Sequence, residues 1–435
     1  MERFVVDRLR DWRNRPDRLP LIVRGMRQIG KTWAIREFAR RDFGNSICEI
    51  DFEYDRSLKR IFDSDLDPVR ICREIEALTG KLIRPGVTLL FFDEIQACPR
   101  ALESLRYFSE RMPDLHVIAA GSLLEFALEQ ISFPVGRVSF LEMNPMTFAE
   151  FVRASGNSSL DCLLSEGIKD VGEAIHGRML STLREYLFCG GLPACVKTWH
   201  EDKSYVRVRE VQNDLLAAFR QDFAKYPLGM ESSTLETVWD GAARSVSRQS
   251  SFASISREYS GTTNKKAIDL LSKIRLVKCC RAASAAKFPF DLDVTPRFKF
   301  FAGDIGLWQA QLGYPAKEII ETDDVLATYQ GALAEQFVAQ ELAAALGRDE
   351  PHWWKREKRN SNAEVDFIVA IDGRIQPIEV KNGPSGRLRS LHQLLIENPS
   401  VADGVVLSPA RFGEMREQRL RFVPIYYAGE LSSAK

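Results

Sequence analysis

The segment Gly25–Thr32 brings two glycines, a lysine and a threonine together in the order GMRQIGKT. It matches the pattern G-x-x-x-x-G-K-[ST] at every fixed position, after an apolar stretch and before a helical one. Glycines let backbone N–H groups approach a phosphate without a Cβ clash, and the helix that follows adds its dipole to the anion site. We expect Lys31 to bridge the β- and γ-phosphates of ATP and Thr32 to hold Mg²⁺. The predicted contacts to the nucleotide are Gly25, Arg27, Gln28, Ile29, Gly30, Lys31, Thr32 and Trp33.

A second motif, Leu89–Glu94, is an apolar run that ends in two acids. Such a run is typical of a buried strand, and acids at its end can serve a nucleotide site. Asp93 would hold Mg²⁺ through water, and Glu94 would polarise the attacking water. A chance match of the first motif, at an ordinary turn before a helix, is the alternative. Because both motifs are present, we predict Mg²⁺-dependent ATP hydrolysis with Lys31 and Glu94 as catalytic residues.

Two further polar residues are candidates for the same site. Ser122 ends the apolar segment VIAAGS, where a small polar side chain could sense the γ-phosphate. The alternative for Ser122 is a helix N-cap. Arg137 lies just before another apolar segment, where a guanidinium could stabilise charge on the transferring phosphoryl group. The alternative for Arg137 is an ordinary surface loop.

The C-terminal part contains a predicted β-hairpin, residues 364–381, around Asp372-Gly373. Asp-Gly is a strong signal for a two-residue turn. With these two residues as the loop, Ile371 faces Arg374. Each residue before Ile371 then faces the residue that lies equally far after Arg374. The register is therefore specified along both strands.

This register brings Asp366 directly opposite Glu379. Facing carboxylates repel each other, and a divalent cation between them is one compensation. Lys381 would lie on the same face as Glu379 and could steady a nucleophile or a phosphate. Glu335, on an amphipathic helix predicted at residues 329–346, could add a ligand. The alternative is a set of solvated charges on an exposed sheet face, with Glu379 paired to Lys381.

The elements that must position these residues follow from the apolar pattern. Short apolar strands alternate with helices through residue 145, which favours a parallel sheet covered on both faces. The predicted strands are Leu19–Arg24, Ile47–Phe52, Val87–Phe92, Val117–Ala120 and Val138–Leu141, with helices that include Trp33–Arg41 and Leu102–Arg111.

Beyond Asn144-Pro145 the pattern becomes helical until a break at residues 190–193. Three helical segments between residues 234 and 274 precede two short strands, Leu276–Cys280 and Phe298–Phe301, in the order of a winged helix-turn-helix. The stretch WWKREKR at 353–359 interleaves aromatic and basic residues, which could stack on bases and contact phosphates. The alternative is a strand whose tryptophans pack against the domain.

Composition limits the function classes. The 435 residues suggest about three domains, and 60 basic residues balance 60 acidic ones. This balance disfavours a strongly basic DNA-coating protein and an acidic disordered chain. No apolar run approaches the roughly 18 residues that a membrane span needs. The eight cysteines show no C-x-x-C pair, so we expect reduced thiols in a cytoplasmic protein without a membrane partner.

Taken together, these motifs resemble a family of prokaryotic AAA-type P-loop ATPases whose C-terminal region is similar to the restriction-endonuclease-like, or PD-(D/E)xK, fold. The matching segments are Arg24–Thr32, Phe91–Gln96, Ala120–Leu123, Val135–Leu141, Cys189–Pro193, Phe300–Leu307, Gly331–Leu342 and Ala363–Lys381. The resemblance implies Walker A and B roles for the two motifs, a sensor role for Ser122 and a post-sensor role for Arg137.

The expected fold is therefore α/β, with an AAA-type ATPase domain at 1–145 and a helical lid at 146–204. A winged-helix-like domain at 205–324 and a restriction-endonuclease-like domain at 325–435 would follow. The leading hypothesis is an ATPase that acts on DNA and carries a metal-dependent nuclease site. The alternative is a nucleotide-switched regulatory protein, in which an inactive nuclease fold binds a protein partner. The oligomeric state stays open.

Overall fold

The computed structural model describes residues 1–130, 136–224, 230–287, 289–290, 292, 297–315, 331–347, 351–356, 363–382 and 388–432. Two compact units divide the chain between Asn144 and Pro145. The first unit comprises residues 2–144, and the second comprises residues 145–435.

Five parallel strands form the sheet of the first unit, in the order β2-β3-β4-β1-β5. They are β1 (Leu21–Arg24), β2 (Ile47–Asp51), β3 (Leu89–Asp93), β4 (His116–Gly121) and β5 (Ser139–Glu142). Strands β3 and β4 are buried along their whole length, which explains their continuous apolar sequences. The predicted α/β class with a parallel sheet is confirmed for this unit.

Helices cover this sheet. They are α1 (Val5–Asn14), α2 (Lys31–Asp42), α3 (Pro68–Thr79), α4 (Pro99–Arg111) and α5 (Leu124–Gln130), with 3₁₀ turns at Arg56–Phe62 and Ile95–Ala97. Local signals fix their ends: the Asp67 carboxylate caps α3 before Pro68, and Gly80 ends α3 in the left-handed region. None of the helices in the described ranges is long and apolar enough to cross a membrane.

The second unit begins with helices. They are α6 (Phe148–Ala154), α7 (Ser158–Ser165), α8 (Glu173–Cys189), α9 (Pro193–Asp202), α10 (Tyr205–Phe223), α11 (Ser232–Arg244), α12 (Phe252–Ile255), α13 (Gly261–Lys273), α14 (Ile305–Gln311), α15 (Ala332–Leu346) and α16 (Arg389–Glu397). Further 3₁₀ turns lie at Arg416–Gln418 and Ile425–Ser432. Part of the predicted helix 329–346, namely Tyr329 and the residue after it, lies outside the described residues.

A mixed sheet of nine described strands runs through the second unit, in the order β13-β14-β12-β11-β10-β9-β7-β8-β6. The strands are β6 (Gln249–Ser250), β7 (Val277–Ala283), β8 (Phe298–Ala302), β9 (His352–Lys355), β10 (Glu364–Ile371), β11 (Arg374–Val380), β12 (Gly404–Ser408), β13 (Gly413–Met415) and β14 (Leu420–Pro424). The hairpin β10–β11 has the predicted register, from Ile371 opposite Arg374 to Phe367 opposite Ile378.

The sheet crosses the predicted domain boundary at residue 324. Strands β7 and β8 pair with each other as the two predicted wing strands, but β7 also pairs in parallel with β9, which places Ala282 beside Trp353. The supposed wing is therefore part of the C-terminal sheet. Sequence patterns do not reveal this pairing, because β7 and β9 are about 70 residues apart and each reads as an ordinary short strand.

The break at residues 190–193 is held by a buried carboxylate. Asp304 Oδ2 accepts from the Gly191 N–H at 2.7 Å, and its Oδ1 caps α14 by accepting from Leu307 N at 2.9 Å. A Cβ on Gly190 would lie 2.3 Å from Asp304 Oδ1, and one on Gly191 would lie 2.2 Å from the Met146 carbonyl oxygen. Two glycines are required because the chain passes this close to its neighbours.

Replacing Asp304 with alanine should therefore lower the free energy of unfolding by about 2–4 kcal/mol, the sum of a lost N-cap and an unsatisfied buried N–H. Urea unfolding followed by circular dichroism measures this loss. The matched control is Asp269→Ala on the exposed face of α13, which should change the free energy by less than about 0.5 kcal/mol. Equal effects of the two substitutions would contradict the role given to Asp304.

Candidate functional site

The predicted nucleotide residues gather at one edge of the first sheet. Strand β4 lies between β1 and β3, and all three are parallel, so their carboxyl ends meet at the same edge. The Gly25–Thr32 segment, hereafter the P-loop, follows β1, while Asp93 ends β3. Ser122 comes directly after β4 and thus lies between the other two. The crevice at the carboxyl ends of such strands is where α/β folds bind ligands.

The P-loop has the backbone conformation of an anion site. Gln28 and Gly30 adopt φ angles of 64° and 85°, and α2 begins at Lys31. A Cβ on Gly25 would lie 2.4 Å from the Met143 carbonyl oxygen, so this position requires glycine. Lys31 is buried, and its Nζ donates to the carbonyl oxygens of Gly25 and Met26, at 3.1 Å each. The ammonium is therefore already held within the loop that would receive the phosphates.

The two motifs are joined by a hydrogen bond. Thr32 Oγ1 donates to Asp93 Oδ2 at 2.7 Å, and the Glu94 N–H donates to Asp93 Oδ1 at 3.0 Å. Burial raises the pKa of Asp93 to about 6, although the Thr32 hydroxyl opposes this shift. A hydroxyl and a carboxylate side by side are hard oxygen ligands that suit Mg²⁺. The donor set therefore fits the predicted metal of a nucleotide complex.

Glu94 is held by Gln96, which is not among the predicted site residues. Gln96 Nε2 donates to Glu94 Oε2 at 2.6 Å, and Glu94 itself has a left-handed φ of 47°. A Cβ on Gly121 would lie 2.0 Å from Gln96 Oε1, so the glycine leaves room for this amide. Gln96 thus positions the carboxylate proposed to act on water. The sequence feature that could have identified Gln96 is its position two residues after the Asp93-Glu94 pair.

The other predicted contacts differ in what they can offer. Arg27 and Gln28 are exposed, and the Trp33 side chain is 43% exposed at the start of α2. The Ile29 side chain is buried in the core, and its carbonyl oxygen accepts from Arg3 Nη1 at 2.9 Å. Ile29 can therefore contact a phosphate only through its backbone N–H.

Arg137 is not brought to this site within one chain. It precedes β5 and therefore lies at the amino-terminal edge of the parallel sheet, opposite the P-loop edge. There its Nε pairs with Glu110 Oε1 at 3.3 Å, near the end of α4. The expectation that Arg137 stabilises phosphoryl charge in its own chain is therefore corrected. Sequence order alone could not show at which edge the residue lies.

The second predicted cluster has an additional member. Lys299, on β8, is 1% exposed, and its Nζ lies 3.2 Å from both Asp366 Oδ1 and Glu335 Oε2. Glu364 Oε1 lies 3.6 Å away. Burial alone would lower the pKa of Lys299, but the carboxylates of Asp366, Glu335 and Glu364 outweigh it and hold this pKa above the ordinary value.

The remaining acid of this cluster is Glu379. Lys381 Nζ donates to its Oε1 at 2.7 Å, as one alternative predicted, while its Oε2 is buried without a hydrogen-bond partner. The second oxygen of Asp366 accepts from the Val380 N–H at 2.9 Å. Burial raises the pKa of both Glu335 and Glu379, and the nearby charge of Asp366 raises them further.

This arrangement changes the expectation of a metal between Asp366 and Glu379. Among the residues that the structure describes, no three His, Cys, Asp or Glu side chains are arranged to hold a metal ion. A lysine ammonium supplies positive charge to Glu335 and Asp366 instead. Solvated charges on an open face do not describe the site either, since Asp366 and Glu379 are both buried.

The tryptophans of the WWKREKR stretch are core residues. Trp353 and Trp354 are 0% and 2% exposed, and Trp354 packs in the C-terminal apolar core. They cannot stack on bases, which corrects that expectation in favour of its alternative. Glu357, Lys358 and Arg359 lie outside the described residues.

Comparison with known families supports the class of the first unit. Residues 17–152 match a family model described as an AAA domain. Residues 180–318 and 330–428 match two models that are both described as domains of unknown function. No curated protein matches the chain significantly. The first unit is therefore similar to AAA domains in sequence, and it has the P-loop and parallel sheet expected of a P-loop ATPase fold.

Two solved structures are similar at a low level. One is the Orc1 protein of Aeropyrum pernix in complex with DNA, at 12% identity and a TM-score of 0.28, with 71% of this chain and 90% of that chain covered. The other is AMPPCP-bound DnaA from Aquifex aeolicus, at 13% identity and a TM-score of 0.26, with 62% and 86% covered. TM-scores this low do not establish a common overall fold.

The position of Arg137 leads to a prediction about nucleotide affinity. Arg137→Ala should leave the affinity for a non-hydrolysable ATP analogue unchanged, because the side chain lies at the far edge of the sheet. Lys31→Ala should weaken it at least about tenfold, through loss of a charged hydrogen bond. Calorimetric titration measures both. A loss in Arg137→Ala as large as in Lys31→Ala would show that the arginine reaches the nucleotide, either in its own chain or across a subunit boundary.

Proposed function

We propose that the protein is an Mg²⁺-dependent ATPase whose first unit hydrolyses ATP at the P-loop edge. The observation that carries this proposal is the Thr32–Asp93 hydrogen bond of 2.7 Å, which joins the two motifs at one point. Lys31 and the N–H groups of the P-loop would hold the phosphates, and Thr32 with Asp93 would hold Mg²⁺. The metal would supply charge neutralisation to the phosphates.

The residues of this chain would activate the attacking water for hydrolysis. Glu94, fixed by Gln96, would accept a hydrogen bond from the attacking water and orient it toward the γ-phosphate. Ser122 would lie beside the γ-phosphate, because β4 ends between the two motifs. Each residue acts from a fixed backbone position at the same sheet edge.

Phosphate release from ATP and Mg²⁺ tests this function. Glu94→Gln should lower turnover by about 10²–10⁴-fold while nucleotide still binds, because the amide keeps the shape but cannot serve as a base. Lys31→Ala should abolish turnover, and removal of Mg²⁺ by a chelator should do the same. Unchanged hydrolysis in Lys31→Ala would refute the proposed site. Lys197→Ala, an exposed lysine on α9, is the matched control.

DNA is a second candidate ligand, and α13 favours it. The buried Asn264 ties this helix to α12, since its Nδ2 donates to the carbonyl oxygens of Phe252 and Ser256 at 2.8 and 3.0 Å. This helix-turn-helix arrangement leaves Lys265 and Lys266 exposed near the start of α13. The early residues of such a second helix are those that enter the major groove.

The double substitution Lys265→Ala/Lys266→Ala should weaken binding of duplex DNA and make its salt dependence shallower. If each lysine contacts one phosphate, the slope of log affinity against log salt falls by about 2. Fluorescence anisotropy across a salt series gives the slope, with Lys197→Ala again as the control. If wild type binds DNA with no salt dependence, or not at all, this candidate function is wrong and a protein partner is the remaining choice.

For the C-terminal sheet, we propose a binding or regulatory role rather than DNA cleavage. The buried Lys299 beside Asp366 and Glu335 supports this alternative, because the two acids are already engaged by an ammonium. Burial of both tryptophans in β9 also removes the surface that was predicted to stack on bases. An inactive fold of this kind can still dock a partner.

A further inference from the structure

Lys299 is a charged residue in a strand that is otherwise apolar. Strand β8 has the sequence FKFFA, and the side chain of Lys299 is 2% exposed. Its ammonium also lies 5.6 Å from the ring centroid of the buried Trp353. A buried ammonium is strongly unfavourable unless carboxylates surround it. The carboxylates therefore stabilise the buried ammonium of Lys299, and the ammonium stabilises the carboxylates.

The surrounding acids come from separate elements. Glu335 belongs to α15, while Glu364 and Asp366 belong to β10. Two strands, β9 and β7, lie between β10 and β8 in the sheet. Lys299 is the point where the three elements meet. An ion at this point would have to displace an ammonium that lies within 3.2–3.6 Å of all three carboxylates.

Several carboxylate oxygens of the cluster already have a hydrogen-bond partner. Asp366 uses one oxygen for Lys299 and the other for the Val380 N–H. Glu379 has one oxygen on Lys381, so its Oε2 is the buried carboxylate oxygen that stays without a partner among the described groups. Mg²⁺ takes six oxygen ligands, of which one or two are usually protein carboxylates, and the ammonium 3.2 Å from Asp366 would repel it. The residues present therefore do not fit the metal that the resemblance implies.

We propose that Lys299 is the permanent cation of this carboxylate cluster, and that its ammonium takes the place of a divalent metal. The cluster joins β8, β10 and α15 without any added ion. This inference extends the proposed non-cleaving role of the C-terminal sheet, but its test uses neither DNA nor ATP. Failure of either proposal can therefore be recognised separately.

The first measurement counts bound Mn²⁺ by electron paramagnetic resonance, in the full-length protein without nucleotide. Wild type and Glu379→Gln should bind the same number of ions, since the P-loop contribution is common to both. An additional ion in wild type that is lost in a folded Glu379→Gln would overturn the proposal. This comparison does not depend on removing Lys299.

The second measurement follows thermal unfolding of Lys299→Met, a substitution of similar length that removes the charge. The melting temperature in chelator should fall by about 5 °C or more, because Asp366, Glu335 and Glu364 lose the ammonium that lies within 3.2–3.6 Å of them. Millimolar Mn²⁺ or Ca²⁺ should raise the melting temperature of Lys299→Met again. In wild type, the same ions should shift the melting temperature no more than they do in Glu379→Gln, in which only the P-loop can bind them. A Lys299→Met protein as stable as wild type and indifferent to cations would overturn the proposal.

The double variant Lys299→Met/Asp366→Asn separates charge from packing. Removing one carboxylate along with the lysine should recover part of the lost melting temperature and reduce the cation response. A double variant that is no more stable than Lys299→Met would show that Lys299 matters for its volume alone, against the proposal. If Lys299→Met does not fold, the Mn²⁺ comparison between wild type and Glu379→Gln decides.

Discussion

Buried charge has to be compensated, and the carboxylate cluster of the second unit shows how strongly this constrains the fold. Lys299 on β8 can be buried only because Glu335 and Asp366 lie 3.2 Å from its ammonium. The two acids reach it from α15 and β10, so the hairpin β7–β8 has to join the C-terminal sheet. A free-standing wing would leave the lysine without partners. The pairing of β7 with β9 meets this requirement, because it places β8 in the same sheet as β10.

In the first unit, buried charged groups are compensated by neutral hydrogen-bonding groups instead of by opposite charges. Asp93 is buried at the end of β3, and a threonine hydroxyl and a backbone N–H satisfy its two oxygens. Lys31 is satisfied by loop carbonyls. None of these contacts neutralises the carboxylate, which is why burial raises the pKa of Asp93 while the cluster around Lys299 keeps its ammonium charged. A buried carboxylate that no positive group contacts is suited to bind a cation, whereas one already paired with an ammonium is not.

Features encoded by neighbouring residues could be predicted from the sequence. The parallel strands follow from short apolar runs, and the register of β10–β11 follows from Asp372-Gly373 because a two-residue turn fixes every later pair. The P-loop conformation follows from its glycines. In each case the determining residues lie within a few positions of the structure that they specify.

The features that could not be predicted depend on contacts between distant parts of the chain. Lys299 is 67 residues from Asp366, and in the sequence a lysine between phenylalanines reads as the exposed face of an edge strand. Arg137 precedes an apolar strand just as a catalytic arginine would, yet strand direction places it at the wrong edge. Trp353 and Trp354 look suited to stacking until β9 is found inside the sheet. The chemistry of a charged or aromatic side chain is set by what surrounds it, and here the surroundings come from strands far away in the sequence. In this chain, the acidic motif alone therefore does not indicate a metal site. A buried lysine from a distant strand can supply the positive charge that a metal would otherwise provide.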